Sequence, residues 1–262
     1  MDNRPVGFFD SGLGGVSVLR AARRVLPKEN YIYYGDNKNA PYGDRSQADI
    51  TDLTLRSAEE LVDHNVKALV IACNTATATC IRQVRELMSV PVVSVEPAIK
   101  PACMAPGSGK VLMLATLATT RLARYLALQK RMPDPERVVN VACPGIVERV
   151  ERGVLAPDGY DDLLDAYLAP YWGAEVDGIV LGCTHYPFIR DAIARYARMH
   201  FTGKCRLYDG SLGTARELAR VLNRGGLASD AGSGDVKFFS SGDVSCYGPL
   251  FDMLLELPYD MD

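Results

Sequence analysis

Short apolar runs alternate with helical stripes along the whole chain. Val6-Gly7-Phe8-Phe9 is apolar and ends at Asp10-Ser11-Gly12. Behind it, Val18, Leu19, Ala22, Val25 and Leu26 recur at helical spacing and stop before Pro27. Tyr31–Tyr34 predicts the next strand. Ser46 with Asp49 three residues on has the form of a capping box, and Ile50, Leu53 and Leu61 suit the helix it starts. Val66–Ala72 predicts a buried strand that ends at Cys73, and Ile81, Val84 and Met88 mark the helix after it. Val92–Val95 is a further strand beyond Pro91. Such alternation predicts an α/β fold with mostly parallel sheets covered by helices on both faces.

Gly107-Ser108-Gly109 opens a second unit of the same kind. Val111–Leu114, Val138–Ala142 and Ile179–Gly182 read as strands, with a helix from about Thr120; Arg206–Tyr208 and Val236–Phe239 are later strands. The two units echo one another. Ala68–Thr75 and Gly178–His185 are both apolar strands that close on a small residue, a cysteine and two polar residues. The interval from Asp10 to Cys73 is close to that from Thr116 to Cys183. A pseudo-repeat with one cysteine at a strand end in each half accounts for both.

Composition narrows the function. The 262 residues are 48% hydrophobic and 23% charged, enough for a sizeable core. The net charge is -3, without the basic excess of a general nucleic-acid binder, so no nucleic-acid partner is expected. No apolar run approaches the roughly 18 residues of a membrane helix, and the N-terminus lacks a secretory pattern. Seven cysteines, no CxxC pair and only three histidines argue against a disulfide scaffold and a zinc site. Reduced thiols in a cytoplasmic protein are the expectation.

Ligands of open α/β sheets bind beyond the carboxyl ends of the strands. Cys73 and Cys183 are both expected there, each just before a helix, whose N–H groups favour thiolate. Two such thiols suit a racemase, which removes a proton from one face of a carbon and returns one to the other. His185 and Asp10 stand where they can assist Cys183 and Cys73. The Gly12-Leu13-Gly14-Gly15 turn lacks the third glycine of a dinucleotide fingerprint, because position 17 is Ser17. An anion- or nucleotide-binding regulatory module built on that turn is the reading from a different class. Tyr42 and Gly43 lie on a loop where a hydroxyl and an N–H can meet a carboxylate.

Phe9-Asp10-Ser11-Gly12-Leu13-Gly14-Gly15, Asp36 with Pro41-Tyr42-Gly43, Ala72-Cys73-Asn74-Thr75-Ala76 and Gly182-Cys183-Thr184-His185-Tyr186-Pro187 occur in that order. Together they resemble the glutamate racemases of bacterial cell-wall synthesis, members of the aspartate/glutamate racemase group. The resemblance implies two pseudo-symmetric α/β domains, residues 1–96 with 208–262 and residues 97–207, and an active site between them. It implies cofactor-independent interconversion of L- and D-glutamate, with no metal, and a homodimer. Cys73 and Cys183 match the catalytic bases, acting on D- and L-glutamate respectively, and Asp10 and His185 their assisting groups. Ser11, Tyr42, Gly43, Asn74, Thr75 and Thr184 match substrate-binding positions, and Thr116 and Thr119 fall in a threonine-rich loop of the second domain. Asp36 and Glu151 match acidic positions nearby. Ala115-Thr116 departs from the more usual Gly-Thr, and Gly145-Ile146 replaces bulkier residues after Cys143-Pro144. A racemase of aspartate or another amino acid is the nearest alternative.

Overall fold

β1 (Val6–Asp10) is buried along its whole length, as the middle strand of a parallel sheet covered on both faces must be. One of its faces sends Phe9 into a cluster with Ile32, Ile50, Leu69 and Ile71; on the other, Phe8 meets Tyr31 edge-on. The structure is a computed structural model that describes residues 1–258. The chain divides into unit 1, Met1–Glu96 with Ser211–Asp262, and unit 2, Pro97–Gly210.

Elements are numbered in chain order. Unit 1 begins with β1, α1 (Val16–Val25), β2 (Tyr31–Gly35), α2 (Gln47–Asp63), β3 (Ala68–Ile71), α3 (Asn74–Leu87) and β4 (Val92–Ser94). Unit 2 holds α4 (Ile99–Met104), β5 (Lys110–Ala115), α5 (Leu117–Arg121), α6 (Ala123–Gln129), β6 (Val138–Ala142), α7 (Ile146–Glu151), α8 (Asp161–Leu168), β7 (Val176–Leu181), α9 (Arg190–His200) and β8 (Arg206–Asp209). Unit 1 resumes with α10 (Ser211–Arg224), β9 (Val236–Ser240) and α11 (Val244–Glu256). Its sheet runs β4-β3-β1-β2-β9 and that of unit 2 runs β6-β5-β7-β8, every named pairing being parallel. β8 pairs with β7 and so belongs to unit 2, which carries that unit to Gly210, a few residues past the expected return at 208.

Local chemistry explains the helix starts. The Ser46 hydroxyl accepts from the Asp49 N–H at 3.1 Å, so Ser46 caps the helix as read, while the Asp49 carboxylate accepts from the Ser46 hydroxyl at 2.7 Å rather than closing the box on the Ser46 backbone. After β5 the helix begins at Leu117, earlier than Thr120, because Thr116 caps it by accepting from the Thr119 N–H. It breaks at Leu122, which is extended, and restarts as α6. All seven cysteines are free thiols. Among the described residues, no helix is long and apolar enough to cross a membrane.

Candidate active site

In each sheet one strand separates connections that run in opposite directions, and the crevice beside it is where such folds bind ligands. In unit 1 that strand is β1, with β3 on one side and β2 on the other; in unit 2 it is β5, with β7 and β6. The two crevices are built alike. Phe9 pairs with Ile71, and the Ala72 N–H donates to the Phe9 carbonyl at 2.8 Å. Leu114 pairs with Leu181, and the Gly182 N–H donates to the Leu114 carbonyl at 2.8 Å. This register sets Ser11 opposite Cys73 and Thr116 opposite Cys183.

In unit 1 the Cys73 and Ser11 side chains meet, Sγ to Oγ, at 3.4 Å. Cys73 is the N-cap of α3, and its sulfur accepts from the Ala76 N–H at 3.4 Å. An uncommitted N–H at a fourteen-residue helix start stabilises negative charge on that sulfur. Asp10 is fully buried and accepts from the Gly12 N–H at 2.9 Å, so the glycine turn is folded back on the strand end. Gly15 is required there: a Cβ would lie 2.7 Å from the Asp10 Cβ and 2.9 Å from that of Ala72. The Asp36 N–H donates to the Asp10 carbonyl at 3.0 Å, and the Asp36 carboxylate accepts from Asn39 and, at 2.6 Å, from the Tyr42 hydroxyl. Burial, then the charge of Asp36 and the bond to it, push the Tyr42 phenol far above its ordinary range. Gly43 follows in the same short 3-10 turn, half-buried. Asn74 and Thr75 are buried on the first turn of α3, and the Asn74 Oδ1 has no hydrogen-bond partner.

In unit 2 the Cys183 sulfur lies 3.7 Å from His185 Nδ1, and His185 Nε2 lies 2.6 Å from Glu151 Oε1. Glu151 ends α7, so two elements place one thiol–imidazole–carboxylate chain. Burial alone lowers the imidazole's proton affinity. The hydrogen bonds to Cys183 and Glu151, with the negative charge of each, outweigh it and raise His185 well above its ordinary value. Gly182 has no room for a side chain, since a Cβ would run into Met113 and stand 2.8 Å from the Leu114 carbonyl. Thr116 and Thr119 face one another, oxygen to oxygen, at 3.0 Å, and Thr184 is buried beside Cys183. Cys143 is buried too; burial and then the charge of Cys183 push its thiol up, which suits an inert packing role.

The sequence over residues 16–217 matches the family model described as Asp/Glu/Hydantoin racemase. The chain belongs to this racemase family. It is 42% identical over 243 residues to a glutamate racemase of Clostridium perfringens, 92% of each chain being covered. It superposes on the crystal structure of glutamate racemase from Francisella tularensis in complex with D-glutamate with a TM-score of 0.83 at 28% identity, covering 100% of this chain and 96% of the other. For the glutamate racemase from Thermus thermophilus in complex with β-chloro-D-alanine the TM-score is 0.78 at 35% identity, with 98% and 95% covered.

Two expectations about this family member need correction. Cys183 does not stand at the start of an α-helix. Residues Tyr186–Ile189 form a 3-10 turn with Pro187 in its first positions, and α9 begins only at Arg190. Nor does the Tyr42 hydroxyl stand open to a carboxylate, because its proton is already given to Asp36. The resemblance put Glu151 near the site without naming its partner; the tie to His185 has no sign in spacing, since the two are far apart in the chain.

Proposed function

We propose that this chain interconverts L- and D-glutamate without a cofactor, using Cys73 and Cys183 as the two bases. The observation that carries the reading is the pair of thiols at equivalent register positions, each with its own means of stabilising thiolate. As thiolate, Cys73 takes the α-proton of D-glutamate; the Cys183 thiol gives its proton to the opposite face of the resulting carbanion, which leaves L-glutamate. The reverse direction exchanges the roles. An ordinary thiol pKa of about 8.5 makes both states accessible near neutral pH.

Asp10 and His185 assist Cys73 and Cys183 in turn. Cys183 and Glu151 raise the proton affinity of His185 against burial, so the imidazole is placed to hold a proton beside the Cys183 sulfur. Ser11, Gly43, Asn74, Thr75, Thr116, Thr119 and Thr184 supply neutral hydroxyl, amide and backbone groups for the substrate, and Tyr42 holds the Gly43 loop through Asp36. Neutral donors suit an enzyme that must bind two enantiomers better than one rigid arginine fork does. The protein works as a cytoplasmic homodimer and supplies D-glutamate for peptidoglycan.

The test is L-glutamate in deuterated buffer with chelator-treated, dialysed protein, analysed by NMR and chiral chromatography. D-glutamate carrying deuterium at the α-carbon is the expected product. Absence of both exchange and product, or activity that returns only with pyridoxal phosphate or a metal, overturns the proposal. Faster turnover of aspartate than of glutamate would assign the chain to a sibling substrate.

A further inference from the structure

Four residues past Cys73, the Thr77 N–H donates to the Cys73 carbonyl at 2.9 Å, an α-helical rung at the start of α3. Four residues past Cys183 stands Pro187, which has no N–H to give. The Cys183 carbonyl accepts instead from the Tyr186 N–H at 3.1 Å, one residue earlier, and the His185 carbonyl from the Phe188 N–H at 3.1 Å. Bonds of this spacing make a tighter turn with poorer geometry than an α-helix. The segment that carries Cys183 thus lacks the rung that fixes its counterpart.

Tyr186 supplies a tie of another kind. It is fully buried, and its hydroxyl donates to the Cys143 carbonyl at 3.1 Å. The Cys143 N–H in turn donates to the Ala115 carbonyl at 2.9 Å. One side chain so links the segment after β7 to the ends of β6 and β5, all within unit 2. Burial, then the charges of Cys143 and Cys183, push the Tyr186 phenol well above its ordinary range, so the hydroxyl keeps its proton and donates it. The matching position in unit 1, three residues past Cys73, is Ala76, which has no side chain to tie; there the helix holds the thiol.

We propose that the Tyr186 hydroxyl is a positioning group for the Cys183 half of the reaction, holding the turn in which the Cys183 sulfur lies 3.7 Å from His185 Nδ1. This role rests on the racemase reading and names what keeps one of its two bases in place. The Tyr186 oxygen itself takes no proton from the substrate.

The test is elimination from the L and D forms of a glutamate analogue with a β-leaving group, by the native chain and by Tyr186→Phe. Phenylalanine keeps the ring and removes only the hydroxyl, which leaves the Cys143 carbonyl short of a donor. Elimination from the L analogue, the work assigned to Cys183, should fall about tenfold in kcat with KM little changed. Elimination from the D analogue, assigned to Cys73, should keep its rate and so reports the fold, together with thermal melting. 4-Aminophenylalanine at position 186 offers a weaker donor to the same carbonyl and should return the L rate to between the two. Should Tyr186→Phe fail to fold, that replacement carries the test through a lowered ratio of L to D rates, and a native ratio overturns the role. A loss shared equally by both analogues, an unchanged L rate in Tyr186→Phe, or a loss in KM alone overturns the role and leaves the racemase reading standing. Absence of both elimination and racemisation in the native chain overturns the racemase reading and this role with it.

Discussion

Cys73 and Cys183 occupy the same place in two similar sheets yet have quite different neighbours. Cys73 caps a long α-helix and meets a serine hydroxyl and a backbone N–H. Cys183 has a 3-10 turn after it, and beside it an imidazole gripped by a half-buried carboxylate. Register sharpens the contrast. Asp10 of β1 falls where β5 has Ala115, and Thr75 after Cys73 falls where His185 follows Cys183. Each unit thus carries an acidic or basic residue that the other lacks at the matching position. A repeat fixes where a thiol stands; the side chains around it are free to diverge.

Replacing either thiol should have the largest effect. Cys73→Ser and Cys183→Ser should each lower racemisation by roughly 10²–10⁴-fold, the range for a lost general base. Kinetic constants for racemisation cannot separate the two halves, because the enantiomers are isoenergetic and kcat/KM must fall equally in both directions. A glutamate analogue with a β-leaving group can, since elimination needs one deprotonation only. By the proposed roles, Cys73→Ser should eliminate from the L analogue and Cys183→Ser from the D analogue; the same preference in both variants would sink the two-base assignment.

An intermediate effect is expected from Glu151→Gln. A charge-assisted hydrogen bond contributes about 1.5–3 kcal/mol, so kcat/KM should fall roughly tenfold to a hundredfold. The pH profile is the sharper readout. His185 holds its proton well above the ordinary value because of Cys183 and Glu151, against burial. Loss of the carboxylate lowers that affinity, and the basic limb of kcat/KM should move to lower pH. Stability follows the same sign: the tie contributes fully below the unfolded histidine pKa of about 6.5 and is lost as pH rises through the raised folded value. Thermal melting across that range should show a smaller pH dependence in the variant. A profile unmoved by the substitution would mean that Glu151 does not tune His185.

Ser11→Ala should have the smallest effect. A neutral hydrogen bond contributes about 0.5–1.5 kcal/mol, so a decrease of only two- to tenfold in kcat/KM is expected, with the pH limb of the Cys183 half unmoved. A loss as large as that of Glu151→Gln would show that the hydroxyl carries as much of the charge as the imidazole–carboxylate pair does.

The alternation of apolar runs made both sheets legible, because a buried parallel strand such as Ala68–Ile71 is built mostly of apolar residues. The strand-end position of each cysteine followed from the same pattern. Side-chain partnerships did not. His185 and Glu151 meet only because α7 and the segment after β7 pack together, and Tyr42 turns to Asp36 because the loop folds back to the end of β1. The 3-10 turn after Cys183 is a local matter, and Pro187 was its visible sign.

The unpartnered Asn74 oxygen sets a criterion for inhibitor discovery. A shielded acceptor left without a donor costs about 1–3 kcal/mol. Because the oxygen is shut off from solvent, a compound recovers that energy only where the first turn of α3 shifts to admit its N–H, which keeps the gain in Kd below the roughly tenfold to hundredfold that the full term would give. Screening libraries biased towards oxygen-only dicarboxylates therefore lack the donor that this first turn of α3 is short of.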